Sequence, residues 1–160
     1  MKKVLSIILT LLLMISLCLF AFAETTDHIV SSTVDVYSDG SYGVTTITES
    51  VAVSTVSTNA LRATKPGSIS YSHYDASNVL LWKVTLNATF TYNGTTATCT
   101  SATPSYTVYG SAWKVTKSTA SHSGNTATGS FTAKRYTLGI PVETVNKTLT
   151  LTCSPSGVLS

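Results

Sequence analysis

Apolar and polar residues alternate along most of this chain with a period of two. In the clearest segment, 80–92, one set of alternate positions is apolar throughout: Leu80, Trp82, Val84, Leu86, Ala88, Phe90 and Tyr92. The positions between them are mainly lysine, asparagine and threonine. Because successive side chains of a β-strand point to opposite faces of its sheet, this pattern predicts a strand with one buried and one solvated face.

Turn signals separate this strand from the next ones. Asn93-Gly94 follows directly and favours a tight hairpin, since such turns need positive φ at their central positions. The returning strand places Cys99 on its apolar face. We expect Pro104 to end that strand, because proline cannot donate a ladder hydrogen bond. The same alternation predicts later strands at 106–116, 126–138 and 145–153.

The leading part of the chain follows the same pattern. Residues 27–57 read as a β-hairpin whose turn is Ser38-Asp39-Gly40-Ser41. The whole sequence then has seven or eight short strands, joined mostly by turns and without a crossover helix. Since each strand has one apolar face, two antiparallel sheets packed face to face are expected. We therefore predict an all-β fold, an antiparallel β-sandwich, in a single domain of residues 24–160.

Residues 58–78 interrupt the alternation. They contain Lys65-Pro66-Gly67 and few regularly spaced apolar residues, so we interpret them as a linker. A short edge strand at 69–74 is the most that we expect there. The main body of the domain is then 79–160.

The first 23 residues have the features of a secretory signal peptide. Lys2 and Lys3 precede an apolar run, Val4–Phe20, and Ala21-Phe22-Ala23 closes it with small residues at the positions that a signal peptidase recognises. We expect cleavage after Ala23. The run is shorter than the roughly 20 residues that span a bilayer. The mature protein is thus expected to be secreted, without a membrane span, free outside the cell or associated with the cell wall.

Charge limits the classes of partner. The whole chain has a formal net charge of +3, and loss of Lys2 and Lys3 leaves the mature chain close to neutral. Nucleic-acid binding, which needs a broad basic surface, is therefore not expected. The acids of residues 24–61 all precede the first base of the mature chain, Arg62, whereas 62–160 is rich in bases. This separation either pairs an acidic segment with a basic body or forms a surface for an anionic partner.

Cys99 and Cys153 are the cysteines that remain after cleavage. An even pair in an exported protein favours a disulfide. On the chain-entropy account, closing a loop of this length stabilises the fold by about 4 kcal/mol. Two thiols alone do not complete a four-ligand zinc site.

The positions of the two cysteines relative to Trp113 resemble a known arrangement. Cys99, Trp113 and Cys153 resemble the Cys…Trp…Cys frame of immunoglobulin domains, which implies a bridge between the sheets covered by Trp113. Leu151 stands where that family has tyrosine, so the likeness is one of sandwich architecture.

A second resemblance covers residues 81–160. Segments such as Phe90–Thr100 and Leu149–Ser154 are similar to small secreted proteins of Gram-positive bacteria with domains of unknown function. That resemblance implies export and no particular activity.

The usual catalytic patterns are absent from the sequence. His73 and Asp75, two residues apart, are weak candidates for metal ligands because they would share one face of a strand. Asp75 and Glu143 are the acids after the leading segment, and glycoside hydrolysis needs two carboxyl groups. A small hydrolase using His73, Asp75 or Glu143 is the least favoured hypothesis. We expect no enzyme activity, no cofactor and no bound metal.

A binding surface is the better prediction. Its candidate residues combine bases with aromatic side chains that could stack on sugars: Lys114, Lys117, Lys134, Arg135, Tyr106, Tyr109 and Tyr136. We predict an interaction module at or near the bacterial cell surface, with a wall polymer, a glycan or a surface protein as its partner. The alternative is a secreted effector, similar to a bacteriocin, that acts on neighbouring cells.

Overall fold

The computed structural model describes residues 26–51 and 63–160. Eight strands make up its regular structure: β1 Thr26–Val36, β2 Tyr42–Val51, β3 Ala63–Tyr74, β4 Leu80–Tyr92, β5 Ala97–Val108, β6 Trp113–Ser123, β7 Thr126–Thr137 and β8 Ile140–Thr152. The predicted signal peptide lies outside the described residues. In the part of the chain that is described, no helix is long and apolar enough to cross a membrane.

The strands form two antiparallel sheets. One sheet has the order β1-β2-β3-β4-β5 and the other the order β6-β7-β8, with antiparallel pairing throughout. The prediction of an antiparallel β-sandwich is confirmed. Within each sheet the strands follow chain order, whereas immunoglobulin domains have Greek-key connections. The likeness to those domains is therefore one of two packed sheets and not of strand order.

The core lies between the three-stranded sheet and the strands β3, β4 and β5. Strand β8 lies against β3 and β4, β7 against β4 and β5, and β6 against β5. Every second residue of β4 points into this space, with Trp82, Val84, Leu86 and Phe90 almost fully buried. The alternation seen in segment 80–92 is thus the inner face of a central strand, as predicted.

Strand β1 is an exposed edge strand. Residues 27–36 are exposed, and apolar side chains such as Ile29, Val34 and Val36 remain largely accessible. Together with β2 it forms the predicted leading hairpin as far as Val51. The last residues of that predicted hairpin, 52–57, lie outside the described residues.

The linker prediction for 58–78 is wrong where the structure describes it. Residues 63–74 form β3, which pairs with β2 on one side and β4 on the other. Its buried residues include Gly67 and His73 beside Ile69 and Tyr71, so the buried face is not recognisable as apolar in the sequence. Pro66 fits because β3 pairs with β2 only from Gly67 onward, which leaves the proline on a locally unpaired side.

The end of β5 also differs from the prediction. The strand continues through Pro104, which lies opposite Leu86 of β4, and it ends at Val108. Residues 106–108 therefore belong to β5, and β6 begins only at Trp113. Because β5 is the edge of its sheet, a residue without an N–H donor is tolerated on the side that has no neighbouring strand.

Cys99 and Cys153 lie at the end of the sandwich that holds the β6–β7 turn. The amide of Cys99 donates to the Gly124 carbonyl at 2.7 Å, and that of Cys153 donates to the Asn125 carbonyl at 3.1 Å. Both are buried free thiols in the structure, so the disulfide stays a prediction. Trp113 begins β6 at the opposite end of that strand. The expectation that it covers a bridge between these cysteines is wrong.

Candidate functional site

Three predicted lysines share the outer face of the three-stranded sheet. Lys114 lies directly opposite Lys134 across β6 and β7, and Lys117 lies opposite Thr132. The neighbours of these positions, such as Trp113 and Ala133, point into the core, which directs the lysines to solvent. We call the set Lys114, Lys117, Lys134 and Tyr136 the lysine face.

The lysine face concentrates positive charge without an internal partner. The ion pairs formed by the described residues involve Lys65, Arg135 and Lys147, and none of them uses a lysine of this face. The Lys114 ammonium lies 5.3 Å from the centre of the Tyr136 ring, a cation–π distance. Like charges directly opposite each other in a sheet are destabilising, so we expect the Lys114–Lys134 pair to lower the stability of the sheet.

The remaining predicted surface residues lie elsewhere. Arg135 alternates with Lys134 and so points to the other side of β7, where its Nε donates to Glu143 Oε2 at 2.9 Å. Tyr106 lies on the edge strand β5 and Tyr109 just after it, 53% and 58% exposed. The single surface expected from the sequence is thus divided among three places. Of the three predicted tyrosines, Tyr136 alone lies beside the lysines.

A groove opens at the end of the sandwich where β6 begins. Its two sections, of about 260 Å³ and 510 Å³, share the lining residues Asp39, Ser41, His73 and Glu143. The first section is also lined by Asp75, Ala76, Leu81, Trp113 and Arg135. The second is also lined by Tyr37, Ser38, Thr144, Val145, Asn146 and Lys147. We call the two sections together the end groove.

The β1–β2 turn forms one wall of the end groove. The Ser41 amide and hydroxyl both donate to Asp39 Oδ1, at 3.0 Å and 2.6 Å. Gly40 takes a φ of 82°, a left-handed conformation that glycine adopts without strain. These bonds fix the carboxylate of Asp39 at the rim. They also lower the pKa of Asp39, the Ser41 hydroxyl contributing most and its amide next.

His73 forms the floor that both sections share. It is only 3% exposed, and its Nδ1 lies 3.2 Å from the Tyr71 hydroxyl. That hydroxyl lies 2.8 Å from the hydroxyl of Tyr37. A chain of three hydrogen-bonding side chains therefore leads from the groove wall to the buried imidazole and fixes the orientation of its ring.

Burial keeps His73 neutral. Burial lowers the pKa of His73, the carboxylates of Glu143 and Asp39 oppose that shift, and Lys147 adds to it. Burial also raises the pKa of Tyr71, and its hydrogen bond with Tyr37 adds to the shift. At neutral pH the groove floor is thus a neutral imidazole beside a neutral phenol.

Aromatic rings support the floor from below. The His73 ring stacks on Trp82, with 5.1 Å between ring centres, and meets the Trp113 ring edge-on at 5.4 Å. Trp82 and Trp113 are themselves 5.8 Å apart. The buried indole nitrogen of Trp82 has no hydrogen-bond partner. Trp113 therefore serves this end of the core, and not the cysteines.

His73 and Asp75, the weak candidates for metal ligands, form different contacts: His73 bonds Tyr71, and Asp75 bonds the backbone of a turn. Asp75 follows β3, and its Oδ1 accepts the amides of Ser77 and Val79, each at 2.9 Å. That carboxylate oxygen holds the β3–β4 turn. Among residues 26–51 and 63–160, no group of three or more His, Cys, Asp or Glu side chains could hold a metal ion.

The three residues of the hydrolase hypothesis do meet. His73, Asp75 and Glu143 all line the first section of the end groove, although they come from β3, the β3–β4 turn and β8. Glu143 is engaged by Arg135 and Asp75 by the backbone of its turn. The sequence pattern did not indicate Asp39 or Lys147 as groove residues. A signal for Asp39 was present, since Asp followed by Gly in a turn often bonds its own backbone.

Lys147 has a second role at the groove wall. Its ammonium lies 3.5 Å from Asp35 Oδ2 and 4.2 Å from the centre of the Tyr71 ring. The ion pair joins β8, an edge strand of the three-stranded sheet, to β1, an edge strand of the other sheet. No signal in the sequence connects two residues so far apart.

Comparisons with known proteins found a similar solved structure and no matching family. No protein-family model matches it, and no curated protein matches it. Among solved structures, a hypothetical protein from Listeria monocytogenes EGD-e is similar, with a TM-score of 0.41 and 19% sequence identity. The similarity covers 84% of this chain and 91% of that one.

Proposed function

We propose that this protein is secreted and acts, without catalysis, as an interaction module at or near the bacterial cell surface. Its partner is an anionic polymer of the cell wall, which contacts the lysine face. One observation carries the proposal: Lys114 and Lys134 lie directly opposite each other. That arrangement costs stability, and a polyanion bound across the two strands would offset the cost.

The side chains on the outer face of the three-stranded sheet support this proposal. Beyond the lysines, the paired positions of β6, β7 and β8 continue with hydroxyl side chains, as in the row Thr119, Ser130 and Thr148. This row has no acid that would repel a polyanion. An extended polymer can lie along it, with its charges on the lysines and hydrogen bonds to the hydroxyls.

The hydrolase hypothesis receives less support than binding. Glycoside hydrolysis needs one carboxyl group as acid and another as base or nucleophile. In the end groove Glu143 is bonded to Arg135, and Asp75 holds a turn. Both carboxylates are therefore engaged in other bonds and do not form a free acid–base pair.

The test is retention of the mature protein on purified cell walls. The triple variant Lys114→Gln, Lys117→Gln, Lys134→Gln should bind about tenfold more weakly, since exposed ion pairs contribute roughly 0.2–1 kcal/mol each. Binding of the unmutated protein should also weaken as salt rises. Lys83→Gln is the control, because it also removes a lysine charge but from the outer face of the other sheet, where Lys83 lies opposite Thr107.

Two results would contradict the proposal. One is an unmutated protein that stays in solution with walls at low salt. The other is a triple variant that binds walls as tightly as the parent. Fractionation of a culture adds the distinction from a secreted effector: a wall-bound species released by salt supports the module, whereas a species entirely in the medium supports action on other cells.

A further inference from the structure

We propose that the end groove is a second binding site, separate from the lysine face, and that it binds a neutral sugar unit of a glycan. The site stands on residues from both sheets and would function whether or not the lysine face binds a polymer.

The groove has the size and construction of a small-molecule site. Its larger section, about 510 Å³, falls within the range of roughly 300–1,000 Å³ that is usual for ligand pockets. The smaller section continues it past His73 to Trp113. The two sections give room for one sugar ring over the histidine and for a linked ring beside it.

A solvent-accessible ring nitrogen without a partner among the described residues, in a side chain that is otherwise almost fully buried, points to a ligand. His73 is almost fully buried and lines both sections. Its hydrogen bond to Tyr71 uses Nδ1, so Nε2 has no hydrogen-bond partner among the described residues. Depending on which nitrogen carries the proton, Nε2 is a donor or an acceptor. A sugar hydroxyl satisfies it in both cases, because a hydroxyl both donates and accepts.

The rim supplies complementary groups on either side of His73. Asp39 uses Oδ1 for both bonds to Ser41, which leaves Oδ2 as an acceptor at the groove. Glu143 is bonded through Oε2 to Nε of Arg135, which leaves its other oxygen and the terminal nitrogens of the guanidinium. Charged groups of this kind form strong hydrogen bonds with neutral hydroxyls.

The charges of the lining oppose a charged ligand. Asp39, Asp75 and Glu143 would repel an anion, while Arg135 and Lys147 would repel a cation. The same groups favour a neutral molecule that offers donors and acceptors together. Leu81 and Trp113 add apolar surface at the narrow end, where the C–H face of a sugar ring can pack on them.

The experiment titrates the mature protein with a panel of neutral tetrasaccharides built from glucose, galactose, mannose or N-acetylglucosamine. Tetragalacturonate and the tetramer of glucosamine serve as the anionic and cationic comparators. Binding is measured by calorimetry, and the NMR signals of the His73 imidazole and the Trp113 indole report its position. We expect at least one neutral tetrasaccharide to shift both signals and to bind at least tenfold more tightly than the charged tetramers.

Two groove variants and one control locate the site. Glu143→Gln and Asp39→Asn should each weaken binding of that tetrasaccharide about tenfold, the loss expected for a hydrogen bond to a charged group. Both positions are partly exposed or in a turn, and the free energy of unfolding of each variant is measured beside its affinity. Lys134→Gln, adjacent to Arg135 but on the opposite face, should leave sugar affinity unchanged.

Three results would overturn the proposal. They are the absence of any shift at His73 and Trp113 with every neutral tetrasaccharide, equal binding of a charged tetramer, and full affinity in both groove variants. Wall retention that persists in Glu143→Gln but fails in the lysine triple variant keeps the two sites distinct. Loss of sugar binding in the lysine variant would contradict their separation.

Discussion

The hydroxyl of Tyr71 lies 3.2 Å from Nδ1 of His73, two residues further along the same strand. Both side chains point into the sandwich because residues i and i+2 share a face. The Tyr71 hydroxyl also bonds the hydroxyl of Tyr37, which joins the β1–β2 turn to the floor of the end groove. The hydrogen bond from Tyr71 therefore fixes the orientation of the His73 ring.

Tyr71→Phe tests that relationship. The variant keeps the ring but removes the hydroxyl, so buried His73 Nδ1 loses its partner. An unsatisfied buried polar group costs about 1–3 kcal/mol, and we expect the free energy of unfolding in urea to fall by that amount. Tyr37→Phe, which removes only the outer bond of the chain, should cost less. Equal losses in the two variants would contradict the role given to His73.

The pH dependence of stability tests the burial of His73. Since its folded-state pKa is lowered, the unfolded state binds the proton more readily between the two pKa values. The free energy of unfolding should therefore fall as pH drops through the unfolded value, about 6.5, and level off below the folded value. Urea titrations across this range, with His73→Gln for comparison, measure the contribution. A parent and variant with identical pH profiles would refute it.

Export should oxidise the cysteine pair. We expect the mature protein from the culture medium to carry a Cys99–Cys153 bridge, seen as the loss of two hydrogens in intact mass. Removing the bridge by Cys99→Ala and Cys153→Ala should cost about 4 kcal/mol relative to the oxidised protein. In the reduced protein burial raises the pKa of both thiols, so alkylation should need unfolding. Two alkylated thiols in exported, unreduced protein would exclude the bridge.

Leu159 is expected to contribute strongly to stability. It is 2% exposed, forms an antiparallel bridge with Cys153 and packs over Gly67 of β3. Leu159→Ala should cost about 2–5 kcal/mol in urea unfolding, the range for large-to-small changes in a core. Its neighbour Val158, 59% exposed, is the matched control. Val158→Ala should stay within about 0.5 kcal/mol, and similar costs at the two positions would contradict this packing.

Removing one charge of the lysine face should stabilise the isolated protein. Lys134→Thr removes the like-charge pair with Lys114, and we expect a gain of about 0.2–1 kcal/mol at low salt. The gain should shrink as added salt screens the repulsion. Lys83→Thr has no lysine opposite it and is the control. A loss of stability in Lys134→Thr would show that the pair carries no internal cost.

Local alternation was enough to predict much of the fold. The segments that became β4, β7 and β8 each place apolar residues on one face, and a strand can bury such a face only against another sheet. Of the Asn93-Gly94 pair, Gly94 adopts the expected positive φ, whereas Asn93 does not, so the turn is wider than the predicted two-residue hairpin. The sandwich of antiparallel strands and the outward direction of Lys114 and Lys134 follow from this pattern.

Strand β3 shows where that reading failed. Its inner face mixes Gly67 and His73 with Ile69 and Tyr71, because neighbouring groups fill or satisfy those positions. Leu159 occupies the space over Gly67, and Tyr71 bonds His73. The first compensation is distant in sequence, and the alternation of apolar and polar residues does not reveal the second, so an irregular segment was predicted where a central strand lies.

The sequence by itself determined which residues face inward along each regular strand and which bases face solvent, because a period of two settles both. Only the tertiary structure decided which residues meet at the sheet ends. The end groove joins Asp39, His73 and Glu143 from three separate elements, and the β1 edge is tied to β8 through Asp35 and Lys147. Such meetings depend on how two sheets stack, and no spacing along one strand encodes them.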